Sequence, residues 1–476
     1  MKRRILPILM PIGILLAWLA LYRSHPAAPD PLGSHEGIGW WGWFDQSQYL
    51  KISEHWSRWD FFNPDQYYPP VYPGIASTLW PLFGQSSYLV LDATCALLFF
   101  LLLERIFRPY LAYPALLLAV ASAYGFNRLM FDQWVIPWTT NASSLLIISL
   151  GWLLHRQHKA IPSDRRANTR MVGRFNARRD LSVAVGICAI MIALRPFEIL
   201  PALVLTVGIA VNAFRHAILN QAQEERGSSS QRPWQSLWIA SQKLAPALLP
   251  GLAIITLYIT YNILTFGSIE PSYSKEINSM GFNFADLPFK FSSLVNDSSN
   301  YGTKVGHLTH VVPWYPWMIA AAIAGAFILT TPIRYLIAAS LMSQASYLGF
   351  NDLVPTGLFT FNNIHYFSWS IAIIGAAAWA TLVNLTRLQT RSRHNAPWLI
   401  IGSSITITLA GIGLSRCMPE LATSKLSEPE WQSTCNLEAN AQGITTHLIA
   451  THDTDYYSAA KSARLLVLQL PTESNN

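Results

Sequence analysis

The chain has 476 residues, of which 51% are hydrophobic and 12% are charged, about half the charged share of an average soluble domain. That deficit excludes a water-soluble enzyme. Lys and Arg total 33 against 26 Asp and Glu, and the basic residues lie between long apolar runs. The net charge of +7 therefore indicates membrane topology rather than a nucleic-acid partner. The four cysteines form no C-x-x-C pair, so a zinc site is not expected.

The first apolar run, residues 5–22, follows three basic residues and contains no charge. No small-x-small cleavage site closes this run, so it predicts an uncleaved transmembrane helix rather than a signal peptide. Further apolar runs lie at residues 86–103, 110–124, 138–154, 181–194, 198–213, 244–266, 314–331, 334–348, 367–386 and 397–414. The sequence therefore predicts about eleven transmembrane helices, several of them shorter than the ~20 residues that a bilayer normally requires.

The positively charged residues select the orientation of these helices. With the N-terminus inside, the inner segments collect 21 of the 33 Lys and Arg residues, although the outer segments are longer. Eight of the 21 lie in one inner loop, 155–180. The acids are distributed the other way, with 21 of 26 outside or at outer-facing positions of the membrane. The N-terminus is therefore predicted to lie inside, and polar chemistry is predicted on the outer side.

The predicted outer segments are 23–85, 125–137, 195–197, 267–313, 349–366 and a tail at 415–476. These boundaries predict an all-α polytopic membrane domain over residues 1–414 and a small extracytoplasmic segment over 415–476. The loop 267–313 is interpreted either as a lid over the site or as a disordered connection, and both interpretations stay open. Cys417 and Cys435 in the tail are predicted to form a disulfide, since they would lie in an oxidising compartment.

The first outer loop is rich in tryptophan, which favours the headgroup layer of a membrane. From Asp45 onward, Tyr49, Ile52, Trp56 and Trp59 recur at steps of three and four residues. This spacing predicts an amphipathic helix that lies flat on the outer leaflet, with Asp45 in its first turn. A carboxylate there stabilises the helix N-terminus, so Asp45 is interpreted either as a capping residue or as a functional acid.

The loop continues as Tyr67-Tyr68-Pro69-Pro70-Val71-Tyr72-Pro73. This stretch cannot be helical across its prolines and is predicted to turn the chain back into the membrane. Three features together resemble the GT-C superfamily of membrane glycosyltransferases: the first helix, the aromatic-Asp-Gln-x-x-Tyr element at Phe44 to Tyr49, and this proline-rich stretch. Within that superfamily, the protein mannosyltransferase and lipid A aminoarabinose transferase types are the relevant ones. The motifs cover roughly the first 100 residues, and helix number alone extends the resemblance further.

The resemblance implies that a sugar moves from a polyprenyl-phosphate donor to a glycan, lipid or protein acceptor. It implies that Asp45 is the catalytic base and that the reaction occurs at the periplasmic or extracellular face of a bacterial inner membrane. Tyr49, Tyr68 and Tyr72 of the same loop are the predicted substrate contacts. The paired acids found in some branches of the family are absent from this loop, so no metal ligands are assigned, although a divalent metal stays possible. Independently, an inverting transfer requires a base for the acceptor hydroxyl and cationic groups for the departing phosphate.

Arg195 lies between two apolar runs with almost no loop around it. A cation at membrane depth is costly unless it is paired or functional, so Arg195 is interpreted either as a phosphate ligand or as the partner of Glu198. His365 and Tyr366 enter the tenth predicted span from outside, where they either bind the donor or belong to the aromatic belt. The hypothesis that is carried forward assigns all three residues to the donor phosphate.

Arg128 is the fourth predicted donor contact, and its alternative role is a helical ion pair with Asp132, four residues later. Asp92, near the outer end of the second span, is a weaker candidate acid. The run His452-Asp453-Thr454-Asp455 resembles a metal motif, but it lies in a polar tail without a second cluster, and such short motifs are common.

The leading hypothesis is a membrane glycosyltransferase whose partners are a polyprenyl-phosphate sugar, its acceptor and the surrounding membrane lipid. The alternative is a transporter or flippase for lipid-linked saccharides, which would require polar groups along a path to both sides. A third possibility is an assembly subunit without catalytic activity, and such a subunit would be expected to lack Asp45.

Overall fold

The computed structural model describes residues 2–25, 27–29, 39–160, 177–224, 233–271, 273–275, 281–285, 287–288, 291, 308–350 and 365–391. Over these residues the chain is almost entirely helical, and one isolated antiparallel bridge joins Phe282 to Phe350. The predicted span 397–414, the predicted Cys417–Cys435 disulfide and the run 452–455 lie outside the described residues.

The α-helices are α1 (Lys2–Ser24), α2 (Phe44–Ser57), α3 (Val71–Phe83), α4 (Ser87–Phe107), α5 (Tyr113–Ala123), α6 (Arg128–Asp132), α7 (Thr139–Ala160), α8 (Ala177–Leu194), α9 (Ile199–Glu224), α10 (Pro233–Leu244), α11 (Leu249–Phe266), α12 (Leu308–Val311), α13 (Tyr315–Ile328), α14 (Thr331–Leu348) and α15 (Ser368–Arg391). Each apolar run predicted before residue 391 corresponds to one of these helices.

Within the described residues, four helical stretches are long and apolar enough to cross a membrane: Val71–Phe107, Pro196–Ile218, Trp238–Phe266 and Ser368–Arg387. Shorter apolar helices lie at Pro11–Ser24, Tyr113–Ala123 and Tyr315–Ile328. These stretches indicate a multi-pass membrane protein, whereas the number of crossings stays a prediction. The helix α3 is an addition to the predicted elements, because it lies inside the segment expected to be the first outer loop.

The helices differ strongly in how much of their surface the protein covers. In α15, 72% of the residues in its apolar 18-residue stretch are buried, and this helix packs against α5, α13 and α14. The helix α7 packs against α4, α8, α9 and α14. In the helical stretch that contains α11, only 17% of the residues of the apolar 18-residue segment are buried. The α11 side chains Leu252, Leu257 and Leu264 are exposed. The helices α7 and α15 therefore belong to the interior of the bundle, and α11 has the exposed apolar surface expected of a lipid-facing helix.

Proline and glycine set several helix boundaries. Proline occupies the first turn of α5, α11, α13 and α14, where the missing N–H would have no helical partner. Gly84 and Gly267 follow the last residues of α3 and α11 with φ angles of 54° and 64°, which other residues rarely adopt. The bundle ends are therefore defined by residues that can be recognised in the sequence.

The first loop agrees with the prediction in part. The helix α2 begins at Phe44, with Trp43 at the N-cap and Asp45 in the first turn, so the interpretation of Asp45 as the capping residue was wrong. The helix ends at Ser57, and Trp59 lies beyond it with a φ of 66° and 81% exposure, so the predicted continuation to Trp59 was also wrong. The buried residues Tyr49 and Ile52 lie in the protein core, and α2 packs on α3, so this face does not lie on lipid.

Candidate active site

Polar and aromatic side chains from the ends of several helices meet at one side of the bundle. The segments involved are the start of α2, the stretch before α3, the start of α7, the link between α8 and α9, the end of α14 and the stretch before α15. The residues are Asp45, Tyr49, Tyr68, Thr139, Thr140, Arg195, Tyr347, His365 and Tyr366, and we call them the polar cluster. The predicted topology assigns all of these helix ends to the same side of the membrane.

Asp45 lies half-buried in the first turn of α2. The hydroxyl of Tyr68 donates a hydrogen bond to its Oδ1 atom at 2.5 Å. The ring of Tyr68 is buried, with its centre 4.8 Å from that of Tyr49 and 4.9 Å from that of Tyr67. Burial, and then the negative charge of Asp45, raise the pKa of Tyr68 well above its ordinary value. Tyr68 is therefore a neutral hydrogen-bond donor that fixes one carboxylate oxygen.

Tyr49 lies between the acid and the buried cation of the cluster. Its side chain is 2% exposed, and its hydroxyl lies near that of Thr139. Burial, followed by the negative charge of Asp45, raises the pKa of Tyr49 well above its ordinary value, whereas Arg195 acts in the opposite direction. The carboxylate and the guanidinium therefore both lie within electrostatic range of Tyr49.

Arg195 is 5% exposed and has several partners. Its Nε atom donates to the hydroxyl of Tyr347 at 2.6 Å, and its Nη1 atom donates to Thr139 Oγ1 at 3.2 Å and to Thr140 Oγ1. The guanidinium carbon lies 5.2 Å from the ring centre of Tyr347 and 5.0 Å from that of Tyr366. Its contacts with the residues that the structure describes use Nε and Nη1, and the guanidinium carries two further N–H donors on Nη2.

Glu198, the other charge in the link between α8 and α9, is fully buried. The indole N–H of Trp369 donates to its Oε1 atom at 3.1 Å, and the hydroxyl of Tyr347 lies 3.5 Å from the same oxygen. Among the described ion pairs, none joins Arg195 to Glu198. The predicted partnership between the two charges therefore exists only through Tyr347.

His365 and Tyr366, both predicted as donor contacts, join the cluster through ring stacking. The ring of His365 is stacked on Trp138 at 3.8 Å with an interplanar angle of 7°. Tyr366 lies 4.1 Å from His365 and is stacked on Tyr347 at 5.0 Å. The structure thus brings both predicted residues next to the aromatic rings that surround Arg195.

The remaining predicted residues lie elsewhere. Tyr72 is fully buried behind Tyr49, at a ring distance of 5.3 Å, and its hydroxyl donates to the two carboxylate oxygens of Asp92 at 2.9 and 3.0 Å. Asp92 is only 1% exposed. Arg128 begins the short helix α6, which ends at the buried Asp132. The Arg128 side chain lies outside the described part of the structure, so its predicted contact with the donor stays a prediction.

Sequence reasoning missed four residues of the site: Thr139, Thr140, Tyr347 and Tyr273. Tyr273 lies 4.9 Å from Tyr68 between ring centres, and it is close enough to influence the titration of both Tyr49 and Arg195. The two threonines begin α7 and Tyr347 ends α14, so their only signal in the sequence is a position at a helix end. Which helix ends meet is not visible in that signal.

An apolar cavity of about 500 Å³ lies between the helices α8, α9 and α11. Its walls are mostly aliphatic, and they include Pro196 and Phe197, which directly follow Arg195. Another wall is formed by Ile269, Glu270, Pro271 and Ser274, and Tyr273 contacts Tyr68. The cavity is thus lined by chain neighbours of Arg195 and of Tyr273.

Among the residues that the structure describes, no group of three or more His, Cys, Asp or Glu side chains could hold a metal ion. No protein-family model matches the chain, and no curated protein matches it. A crystal structure of ArnT from Cupriavidus metallidurans, bound to undecaprenyl phosphate, is similar over 95% of this chain and 76% of that chain. The two are 13% identical with a TM-score of 0.42, a level of superposition that does not establish a shared fold. The residues of the polar cluster are therefore the basis for the function of this protein.

Proposed function

We propose that this protein is a membrane glycosyltransferase that moves a sugar from a polyprenyl-phosphate donor to an acceptor hydroxyl at the outer face of the membrane. One observation carries the proposal. A half-buried carboxylate, Asp45, and a buried guanidinium, Arg195, lie within electrostatic range of the same buried Tyr49, and the two residues after Arg195 line an apolar cavity. These are the three groups that a lipid-linked sugar transfer requires: a base, an anion ligand and a place for an apolar chain.

The reaction that fits this geometry is a single displacement. The acceptor oxygen attacks the anomeric carbon of the sugar while Asp45 takes the hydroxyl proton. The bond between the anomeric carbon and the phosphate oxygen breaks, and its electron pair leaves with the polyprenyl phosphate. The Nη2 donors of Arg195 stabilise the charge that this phosphate gains. Attack opposite to the leaving group inverts the anomeric centre.

The apolar cavity supports a donor with a hydrocarbon tail. A volume of about 500 Å³ falls within the range of small-molecule sites, so the cavity holds only the first isoprene units, and the rest of the chain extends into lipid. Pro196 and Phe197 line the cavity directly after Arg195, so a phosphate at the guanidinium would have its tail in the cavity. A water-soluble nucleotide sugar has no hydrocarbon chain that could fill an apolar cavity.

The distribution of Lys and Arg supports an outer position for the site. The loop 155–180, which carries eight basic residues, connects the ends of α7 and α8 that are remote from the polar cluster. Since basic loops stay inside, the cluster belongs at the outer face.

The substitution Asp45→Asn tests the assignment of the base. Asn keeps the size of the side chain and can still accept the hydrogen bond from Tyr68, but it cannot take the proton. We expect product formation to fall by ~10² or more, the usual contribution of a general base. The measurement is mass spectrometry of envelope glycans and lipids in cells that carry the wild-type gene, the variant or no gene, because a mass difference reveals a transferred sugar of any identity.

The matched control is Asp65→Asn, which removes an exposed acid of the same loop and should leave the product at the wild-type level. A folded Asp45→Asn protein that forms wild-type amounts of product would remove the catalytic assignment. If cells with and without the gene had identical envelope glycans and lipids, the glycosyltransferase function itself would be rejected.

A further inference from the structure

The link between α8 and α9 holds two opposite charges that do not pair directly. Arg195 is 5% exposed and Glu198 is fully buried, and they are three residues apart. A buried guanidinium so close to a buried carboxylate would ordinarily form a charge-assisted pair, in many cases through two N–H donors. Here the hydroxyl of Tyr347 lies between them, 2.6 Å from Arg195 Nε and 3.5 Å from Glu198 Oε1.

We propose that Tyr347 is a positioning residue that keeps Glu198 from binding Arg195, so that the guanidinium stays available to the phosphate of the donor. This inference rests on the phosphate-binding role assigned to Arg195 above. In the absence of the Tyr347 hydroxyl, Arg195 and Glu198 pair directly, and the N–H donors that face the phosphate are lost to the carboxylate.

Each charge also has a partner other than Tyr347. Trp369 donates to Glu198 Oε1 at 3.1 Å, and Thr139 and Thr140 accept from Nη1 of Arg195. These hydrogen bonds do not use Nε or Nη2 of Arg195, so they can persist while those donors turn to Glu198 in the absence of the hydroxyl. The ring of Tyr347 is stacked on Tyr366 at 5.0 Å, so its position does not depend on the hydroxyl group. Tyr347→Phe therefore removes the bridging oxygen and leaves the ring where it is.

Glu198 has a second effect, which acts through its charge. Its carboxylate opposes the attraction between Arg195 and any phosphate, because it lies one tyrosine hydroxyl away from the guanidinium. The released polyprenyl phosphate carries more negative charge than the donor, and an unopposed cation would retain it. Glu198 thus favours departure of the product.

The test measures equilibrium binding of undecaprenyl phosphate to the purified full-length protein in lipid nanodiscs. We expect Tyr347→Phe to bind about 10-fold more weakly, since a direct ion pair competes for Arg195. Glu198→Gln should bind on the order of 10-fold more tightly, because it removes a nearby negative charge and keeps the acceptor for Trp369. The double variant should regain at least wild-type affinity, since no carboxylate is left to bind Arg195.

Tyr315→Phe is the matched control, because it removes another fully buried tyrosine hydroxyl, which donates to Gln344 at 2.7 Å. Its affinity should equal that of the wild type. Failure of the double variant to recover, or weaker binding by Glu198→Gln, would overturn the proposal, since a purely structural role predicts both results. If Tyr347→Phe does not fold, Tyr347→Leu, which also lacks the hydroxyl, takes its place both alone and combined with Glu198→Gln, with the same expected pattern.

A wild-type protein that binds no undecaprenyl phosphate, and is therefore indistinguishable from Arg195→Ala, would have a different meaning. That result would reject the polyprenyl-phosphate donor. It would also reject the phosphate-binding role of Arg195, on which the proposed role of Tyr347 depends. If the wild type binds undecaprenyl phosphate but the variants do not show the expected order of affinities, the donor assignment stands and only the proposed role of Tyr347 is rejected.

Discussion

The hydrogen bond between Tyr68 and Asp45 gives the proposed base its orientation. The donor approaches one carboxylate oxygen at 2.5 Å from a ring that is itself packed between Tyr49, Tyr67 and Tyr273. A half-buried carboxylate at the start of a helix can otherwise adopt several rotamers. Tyr68 therefore limits the base to a small set of directions and stabilises its charged form.

Tyr68→Phe is expected to move the acidic limb of the pH–rate profile to higher pH. A hydrogen bond to a charged group contributes roughly 1.5–3 kcal/mol, and Asp45 is partly screened by solvent, so we expect a shift of up to about one pH unit. The sign follows because loss of a donor makes the carboxylate take up a proton more readily. Transfer rates measured between pH 4 and 9 would show it, and a lower rate with an unchanged profile would mean that Tyr68 acts only through packing.

Most of the individual site residues could be predicted from the sequence, because each carries a local anomaly. Asp45 follows an aromatic run, and Arg195 is a charge between two apolar stretches. Thr139 and Tyr347 have no such anomaly, and their contacts with Arg195 join residues 56 and 152 positions apart. Contacts of that kind depend on which helices are neighbours, and a hydropathy pattern contains no information on neighbours.

The first loop is held to the bundle by close packing between α2 and α3. A Cβ atom at Gly74 of α3 would lie 2.7 Å from the indole of Trp56 in α2. That indole cannot easily retreat, because it donates to Gln66 at 3.3 Å and packs against Phe61 and Tyr261 at 5.3 and 5.7 Å. The absence of a side chain at Gly74 thus sets the distance between the helix that carries Asp45 and the rest of the protein.

Gly74→Ala should lower the stability of the protein, although alanine favours a helix by roughly 0.5–1 kcal/mol over glycine. Forcing a methyl group into a packed site costs about 1–3 kcal/mol, so the overpacking decides the sign. The melting temperature of the detergent-solubilised protein is the measurement. Gly186→Ala in α8 is the control, since its Cβ would meet only Ile254 at an ordinary 3.8 Å, and it should be neutral or stabilising. Equal melting temperatures for the two variants would contradict this account.

At the level of whole elements, apolar periodicity predicted most helices and misplaced some boundaries. The helix α3 was not predicted, because the run from Tyr67 to Pro73 was expected to be non-helical across its prolines, and this was wrong for Val71 to Pro73. Pro73 lies in the first turn, where proline is tolerated. Trp59 fits the helical spacing of α2, but the backbone leaves the helix at Arg58, so spacing alone extended the helix too far.

Successive long helices of the bundle run in opposite directions, so that their N-terminal ends lie alternately on one side and the other. The polar cluster contains residues from the start of α7, the link between α8 and α9, the end of α14 and the stretch before α15. The remote ends connect through the segments that carry most of the basic residues. The positive-inside rule therefore predicts that these remote ends lie inside and that the polar cluster lies outside.

This orientation predicts the behaviour of three reporter fusions. A fusion after Arg179 should report a cytoplasmic location, whereas fusions after Gly267 and at the C-terminus should both report the outer side. Alkaline phosphatase activity, paired with fluorescence of a cytoplasmic reporter at the same positions, distinguishes the two compartments. The same compartment for the Arg179 and Gly267 fusions would contradict the orientation, and disagreement between the two outer fusions would show that the number of crossings after α11 is wrong.

The order of synthesis gives the position of Tyr347 a meaning for biogenesis. A chain is made from its N-terminus, and Tyr347 and Trp369 follow Arg195 and Glu198 by 152 and 171 residues, respectively. The hairpin of α8 and α9 therefore enters the bilayer before Tyr347 exists, with a cation and an anion one turn apart that can neutralise each other while lipid surrounds them. The later helices α14 and α15 separate the two charges. On the role proposed for Arg195, the link between α8 and α9 therefore carries no net charge while it is inserted, and it can bind an anion only after the chain has been synthesised through Trp369.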